Sequence, residues 1–165
     1  MANYVEIVPS PIEKSSGQSM TIPGTDSVLA RGLVRIGADA IEHQNDGAHD
    51  AYYAEEYVLH GPAGDMTREE LKRYFASLRS AFSNFRITRE RILTDGNWLA
   101  ARNTMSGTFD RVFETSPVGP VPPNGQHVSF ELINIFRYDN DGRLSEEWVQ
   151  VDSLGMLGQL GVKVS

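Results

Sequence analysis

The chain contains no cysteine, which removes disulfides, thiolate nucleophiles and cysteine-ligated zinc or iron–sulfur centres at one stroke. Histidine is scarce too. The four residues His43, His49, His60 and His127 include no pair at the i, i+4 spacing that places two ligands on one helix face. Neither a metal nor a cofactor is expected. No 18-residue apolar run is present to span a bilayer, so no membrane partner is expected. Basic residues are outnumbered, with 15 Lys and Arg against 22 Asp and Glu and a net charge of -7. Nucleic-acid phosphates demand a basic face, and no nucleic-acid partner is expected. The opening residues lack a basic segment followed by an apolar one, and the expected location is cytoplasmic. There is no P-loop and no G-x-S-x-G, and Gly155, Gly158 and Gly161 are wrongly spaced for a dinucleotide fingerprint. Asp139–Gly142 imitates a calcium loop, but its register puts Arg137 at the first ligand position and Trp148 at the last. It reads as a turn.

At 165 residues the chain fits one domain that buries roughly 70% of its unfolded surface. Residues 1–24 carry Pro9, Pro11, Pro23, Gly17 and Gly24 and read as an extended arm; residues 25–165 read as a single domain. Leu29, Leu33, Ile36 and Ala40 recur at helical steps, although Gly32 and Gly37 each cost such a helix about 1 kcal/mol. A second helix is predicted over 49–56, leading into an extended Tyr57–His60 and the breaker Gly61-Pro62. The third is marked by Thr67 and Glu70 as a capping box, with Leu71, Tyr74, Phe75, Leu78 and Phe82 along one side. Strand character follows over 85–94, 98–109, 128–138 and 143–151, with Asp95-Gly96 and Asp141-Gly142 as hairpin turns. A short helix over 153–159 closes the chain. Helices first and a meander after imply an α+β fold, with helices on one face of a curved antiparallel sheet.

Polar residues inside apolar strands need a partner or a task. Arg102 shares a face with Trp98, Ala100, Thr104 and Ser106; it either anchors an anionic oxygen or pairs with a glutamate on the next strand. Asn134 alternates with Leu132 and Phe136, as a core hydrogen-bonder or a substrate-orienting group. His60 sits before Gly61-Pro62, as a rim histidine with or without function. Alternation places Glu147, Val149 and Val151 on one face and Trp148, Gln150 and Asp152 on the other. Asp152 directly precedes the last helix and is either its N-cap or a general base.

The order of features from Asn134 to Gly161 resembles the C-terminal signature of the SnoaL-like polyketide cyclases of the nuclear transport factor two-like superfamily. An apolar run meets Asp141-Gly142, then come Glu147, Trp148 and Asp152, and the stretch ends in Gln159-Leu160-Gly161. The likeness spans roughly 37–161 and includes His60 at the entry to the strand region and Arg102 on the second long strand. It implies a cone-shaped domain with an internal pocket. By this resemblance, the Asp and His that serve ring closure in the ester cyclases fall at Val149 and Asn134. The function implied is a cofactor-independent enzyme moving a proton on a hydrophobic, oxygenated small molecule, in cyclisation, dehydration or hydrolysis. The alternative is a non-catalytic binding or dimerisation module of the same fold. The candidate catalytic residues are Asp152, His60 and Arg102, and the candidate substrate-binding residues are Asn134, Trp148, Phe136, Glu147 and Tyr57. A homodimer is expected, because both faces of residues 128–138 carry apolar side chains.

Overall fold

Each of the four α-helices begins at a side-chain cap, in a computed structural model of the chain that describes residues 24–163. The expected arm, apart from Gly24, lies outside the described residues. Helix α1, Val28–Ile36, starts where Ser27 Oγ accepts the Ala30 N–H at 3.0 Å, and it buries Ala30, Leu33 and Ile36. It continues into a π-helical turn, Gly37–Glu42. Asn45 caps α2, Asp46–Tyr52, by accepting the Ala48 N–H at 2.9 Å. The helix predicted over 49–56 therefore ends early, and Tyr53–Glu56 already belong to a strand. The cause is a four-residue spacing: Tyr53 and Tyr57 are both buried, which suits a helix turn and a bulged strand equally well. Helix α3, Arg68–Ala81, has the capping box read from Thr67 and Glu70, with the Thr67 N–H donated to Glu70 Oε2 at 2.8 Å. It buries Leu71, Phe75, Leu78 and Ala81.

Six strands follow one another as β1 (Tyr53–Gly61), β2 (Gly64–Thr67), β3 (Phe82–Asp95), β4 (Trp98–Phe109), β5 (His127–Tyr138) and β6 (Leu144–Val151). They form one sheet in the order β2-β1-β6-β5-β4-β3. The sheet is mixed, because β1 and β6 run parallel while the other neighbours are antiparallel. Helix α3 carries the chain from the β1–β2 edge to the opposite edge, and the β3–β6 meander then returns β6 beside β1 in the same direction. Gly96 at φ 57° and Gly142 at φ 76° make the two hairpin turns expected of Asp-Gly. The short β2 had no signal beyond Gly61-Pro62 and was not anticipated from the sequence.

The fold is α+β, with the helices on the concave face of a curved, unclosed sheet. Alternation sorts the residues: Leu99, Ala101, Asn103 and Met105 of β4, and Leu132, Asn134, Phe136 and Tyr138 of β5, turn inward and are buried. Gly107 lets β3 cross close to β4, since a Cβ there would stand 2.9 Å from Phe82 Cβ. The outer face keeps Leu93, Trp98, Ile133 and Ile135 exposed. Helix α4, Ser153–Gln159, buries Met156 and Leu157 over the end of the sheet.

Candidate active site

A cavity of about 620 Å³ lies between the concave face of β4–β6, helix α3, the β1–β2 turn and α4. Its walls are mostly apolar, with Phe75, Met105, Phe130, Leu132 and Val149 among them, and the proline-rich segment after β4 reaches it through Pro117. Asn134 and Glu147 place polar groups on this wall.

Those two residues belong to a chain of buried hydrogen bonds crossing four strands. Asn103 Nδ2 donates to Asn134 Oδ1, Asn134 Nδ2 donates to Glu147 Oε1, and the Tyr57 hydroxyl donates to Glu147 Oε2, each at 2.6 Å. Every donor in the series points toward Glu147, so the network favours its ionised form. Burial acts the other way and is the larger influence, lifting the Glu147 carboxyl above the ordinary carboxylate range, with Tyr57, Arg89 and Asn134 pulling it back. A carboxylate has about four lone-pair positions, and two are used, which leaves acceptor capacity for a molecule in the cavity.

Behind this belt lies the buried guanidinium of Arg89, 5.9 Å above the Phe136 ring. Burial lowers its pKa, opposed first by the charge of Glu147. Four phenols surround the pair. Tyr52 and Tyr138 share a hydrogen bond, Tyr53 packs edge-on against Tyr57, and burial pushes the Tyr138 hydroxyl up to about 12. His49 stacks on Tyr53 at 4.2 Å, and burial lowers its pKa. Sequence reading passed over Arg89 and Asn103. Their signal was alternation, since Phe85, Ile87 and Arg89 share one face of β3, and Ala101, Asn103 and Met105 one face of β4.

The structure thus brings together three of the sequence candidates, Tyr57, Asn134 and Glu147, with Phe136 packed beneath. The others lie elsewhere. Asp152 is exposed at the start of α4 and accepts the Gly155 N–H at 2.9 Å. A Cβ at Gly155 would stand 2.1 Å from Asp152 Oδ2, so a larger residue there would displace the capping carboxylate. Arg102 is on the outer face, paired with Glu131 at 2.8 Å. His60 bridges Asp65 and Glu146 at 2.9 Å each and stacks on Trp148, which in turn stacks on Trp98. That aromatic row faces away from the cavity, because Trp148 alternates with the inward Glu147 and Val149. Among the described residues, no group of three or more His, Asp or Glu could hold a metal ion, and no helix is long and apolar enough to cross a membrane.

The family model for SnoaL-like polyketide cyclase matches residues 32–160. The chain belongs to that family. Similar solved structures include the candidate polyketide cyclase IdmH of Streptomyces antibioticus, 24% identical over 82% of this chain and 100% of that one, with a TM-score of 0.69. AclR of Streptomyces galilaeus, described as a candidate hydroxylase, is 19% identical over 81% and 95% of the two chains, with a TM-score of 0.68. A Catenulispora acidiphila protein with a ketosteroid isomerase-like fold is 16% identical over 80% and 93%, with a TM-score of 0.61. At these identities the likeness is one of fold. No curated protein matches the chain.

Proposed function

We propose that the cavity of this SnoaL-like protein binds a hydrophobic, oxygenated small molecule and that Glu147 moves a proton on it without a cofactor. The observation that carries this reading is a buried carboxyl on the wall of an apolar cavity, held from two sides by Tyr57 and Asn134. Burial is a means by which proteins raise a carboxyl toward working pH as a base, and the directed hydrogen bonds hold its ionised form in place. In the proton-transfer step, a Glu147 oxygen takes the proton from carbon α to a ligand carbonyl. The C–H electron pair moves into the enolate, and the proton is returned from Glu147 to the product.

The resemblance to the ester cyclases sharpens this assignment. By that resemblance Val149 and Asn134 fall where the group carries its Asp and His, and the two pair across β5 and β6. Glu147 lies two residues from Val149 on the same face of β6, about 7 Å along the strand. The carboxyl is therefore displaced by one pleat rather than lost, which supports proton chemistry on a differently seated substrate.

The departure at Val149 and Asn134 is also the observation that favours the second reading, a binding module without catalysis. The test is exchange of α C–H groups with D₂O across a panel of apolar aromatic ketones, followed by proton NMR. The wild-type chain is expected to accelerate exchange of at least one member, and Val149→Phe, which fills the cavity beside Glu147, is expected to abolish it. Saturable binding in the cavity with no acceleration for any member would favour the module.

A further inference from the structure

A second recess, of about 360 Å³, opens where the π-helical turn, the end of α3 and the start of β3 meet. Three guanidinium groups line it, those of Arg79, Arg86 and Arg111, together with His43. Such a concentration runs against a net charge of -7, so composition alone does not produce it.

Two of the three arginines are fixed by main-chain carbonyls. Arg79 Nη1 donates to Ile41 O at 2.7 Å and to Ala40 O at 3.4 Å. Arg111 donates through Nε to Ser80 O and through Nη2 to Arg79 O, the latter at 3.3 Å. These bonds fix where the side chains lie without neutralising them, so their charge is pre-organised at the recess. Arg79 Nε–H is buried and has no hydrogen-bond partner among the described residues, and burial lowers the Arg79 pKa. Arg86, exposed on β3, has no hydrogen-bond or ion-pair partner among the described residues.

The acidic groups nearby are largely engaged. Glu42, the one carboxylate on the recess wall, accepts the Ile87 N–H at 2.8 Å. Asp110 pairs with Arg111 at 3.3 Å, and Asp46 acts on Arg79 only through its charge. On the recess wall itself three guanidinium groups face the single carboxylate of Glu42, while Asp110 and Asp46 offset part of the charge from outside it, and the exposed Arg86 side chain is the donor open to an incoming oxygen. Asn84, a non-glycine residue at a positive φ of 52°, also lines this recess. Backbone held in the left-handed region costs energy and collects at binding sites.

We propose that this recess binds a phosphate-type oxyanion, either free phosphate or the head group of a small phosphate monoester. Planar guanidinium forks match tetrahedral oxyanions, and charge-assisted hydrogen bonds are about twice as strong as neutral ones. Phe82 and Phe85 line the same recess and offer an apolar edge for the organic part of a monoester.

The experiment is an NMR titration of the ¹⁵N-labelled chain with inorganic phosphate and with phenyl phosphate, against sodium chloride at matched ionic strength. Saturable shifts are expected at His43, Asn84, Arg86 and Arg111, with a dissociation constant of about 1 mM or tighter. Tighter binding of phenyl phosphate identifies a monoester ligand, and equal binding identifies free phosphate. Arg86→Gln, at an exposed position whose side chain has no partner among the described residues, is expected to keep the fold and to weaken binding about tenfold. Arg91→Gln, which removes a charge from β3 outside the recess, is expected to change it by less than about twofold. Shifts that rise linearly, that chloride reproduces, or that respond equally to both variants overturn the proposal. None of these outcomes depends on the chemistry of Glu147.

Discussion

Removing the Tyr57 hydroxyl is expected to destabilise the protein in a pH-dependent way, because that hydroxyl donates to Glu147 Oε2 at 2.6 Å inside the core. Tyr57→Phe keeps the ring and its edge contact with Tyr53, so the perturbation is confined to one hydrogen bond. A bond to a charged group contributes about 1.5–3 kcal/mol and one between neutral groups about 1 kcal/mol. The Tyr57 bond pulls the Glu147 pKa down against burial. Its contribution is therefore full while the carboxyl is ionised and shrinks as pH falls through the folded-state pKa. For a chain of this size about 2 kcal/mol corresponds to a Tm decrease of about 4–8 °C. Differential scanning calorimetry of wild type and Tyr57→Phe over the pH range in which the protein stays folded is expected to give that decrease at the alkaline end, falling towards about half of it as the carboxyl takes up a proton. A decrease that is larger at the acid end, or that stays under about 1 °C at every pH, would refute the account of Glu147 as a buried ionisable group held by Tyr57.

Asp152→Asn is expected to leave stability within a few tenths of a kcal/mol, and Asp152→Ala to cost about 1 kcal/mol, because Asn caps a helix as well as Asp does; urea unfolding of both variants checks this. Pairing with Glu146 and Asp65 raises the His60 pKa. The stability from that pairing is full below the ordinary value of about 6.5 and lost as pH rises through the folded-state value. Imidazole NMR should place the midpoint above 6.5, and His60→Gln should flatten the corresponding fall in Tm; a midpoint at or below 6.5 contradicts it. The exposed Ile133, Ile135, Leu93 and Trp98 of the outer sheet face are expected to be covered by a second copy of the chain. Sedimentation equilibrium at micromolar concentration should give twice the mass of the chain and Ile133→Lys the single chain; a wild-type monomer removes the expectation.

The fold was legible where local chemistry had one solution. Thr67 with Glu70, Asp95-Gly96 and Asp141-Gly142 each specify a cap or a turn, and strict alternation in β4, β5 and β6 fixed which side chains share a face. It was less legible where the spacing suits two structures, as with Tyr53 and Tyr57, or where pairing is set by the path of the chain, as in the parallel β1–β6 contact. Alternation correctly separated Glu147 from Trp148 and Asp152, but it does not say which face is concave. That is why the inward set of Tyr57, Asn134 and Glu147 and the outward set of His60, Arg102, Trp148 and Asp152 entered the reading as equals. Arg89 was missed because charge on a strand is ordinarily a mark of exposure, and only the packing of α1, the π-helical turn and the tyrosines around it buries the guanidinium.

The central claim is that proton transfer belongs to the buried carboxyl and not to the exposed one. Its most direct test compares Glu147→Gln with Asp152→Asn in the D₂O exchange assay, on whichever ketone the wild-type chain accelerates. Glu147→Gln keeps the shape of the side chain while removing the proton acceptor, and is expected to lower the rate about 10²- to 10⁴-fold. Asp152→Asn is expected to stay within about twofold, since it preserves the α4 cap. A rate that survives Glu147→Gln and collapses in Asp152→Asn contradicts the account.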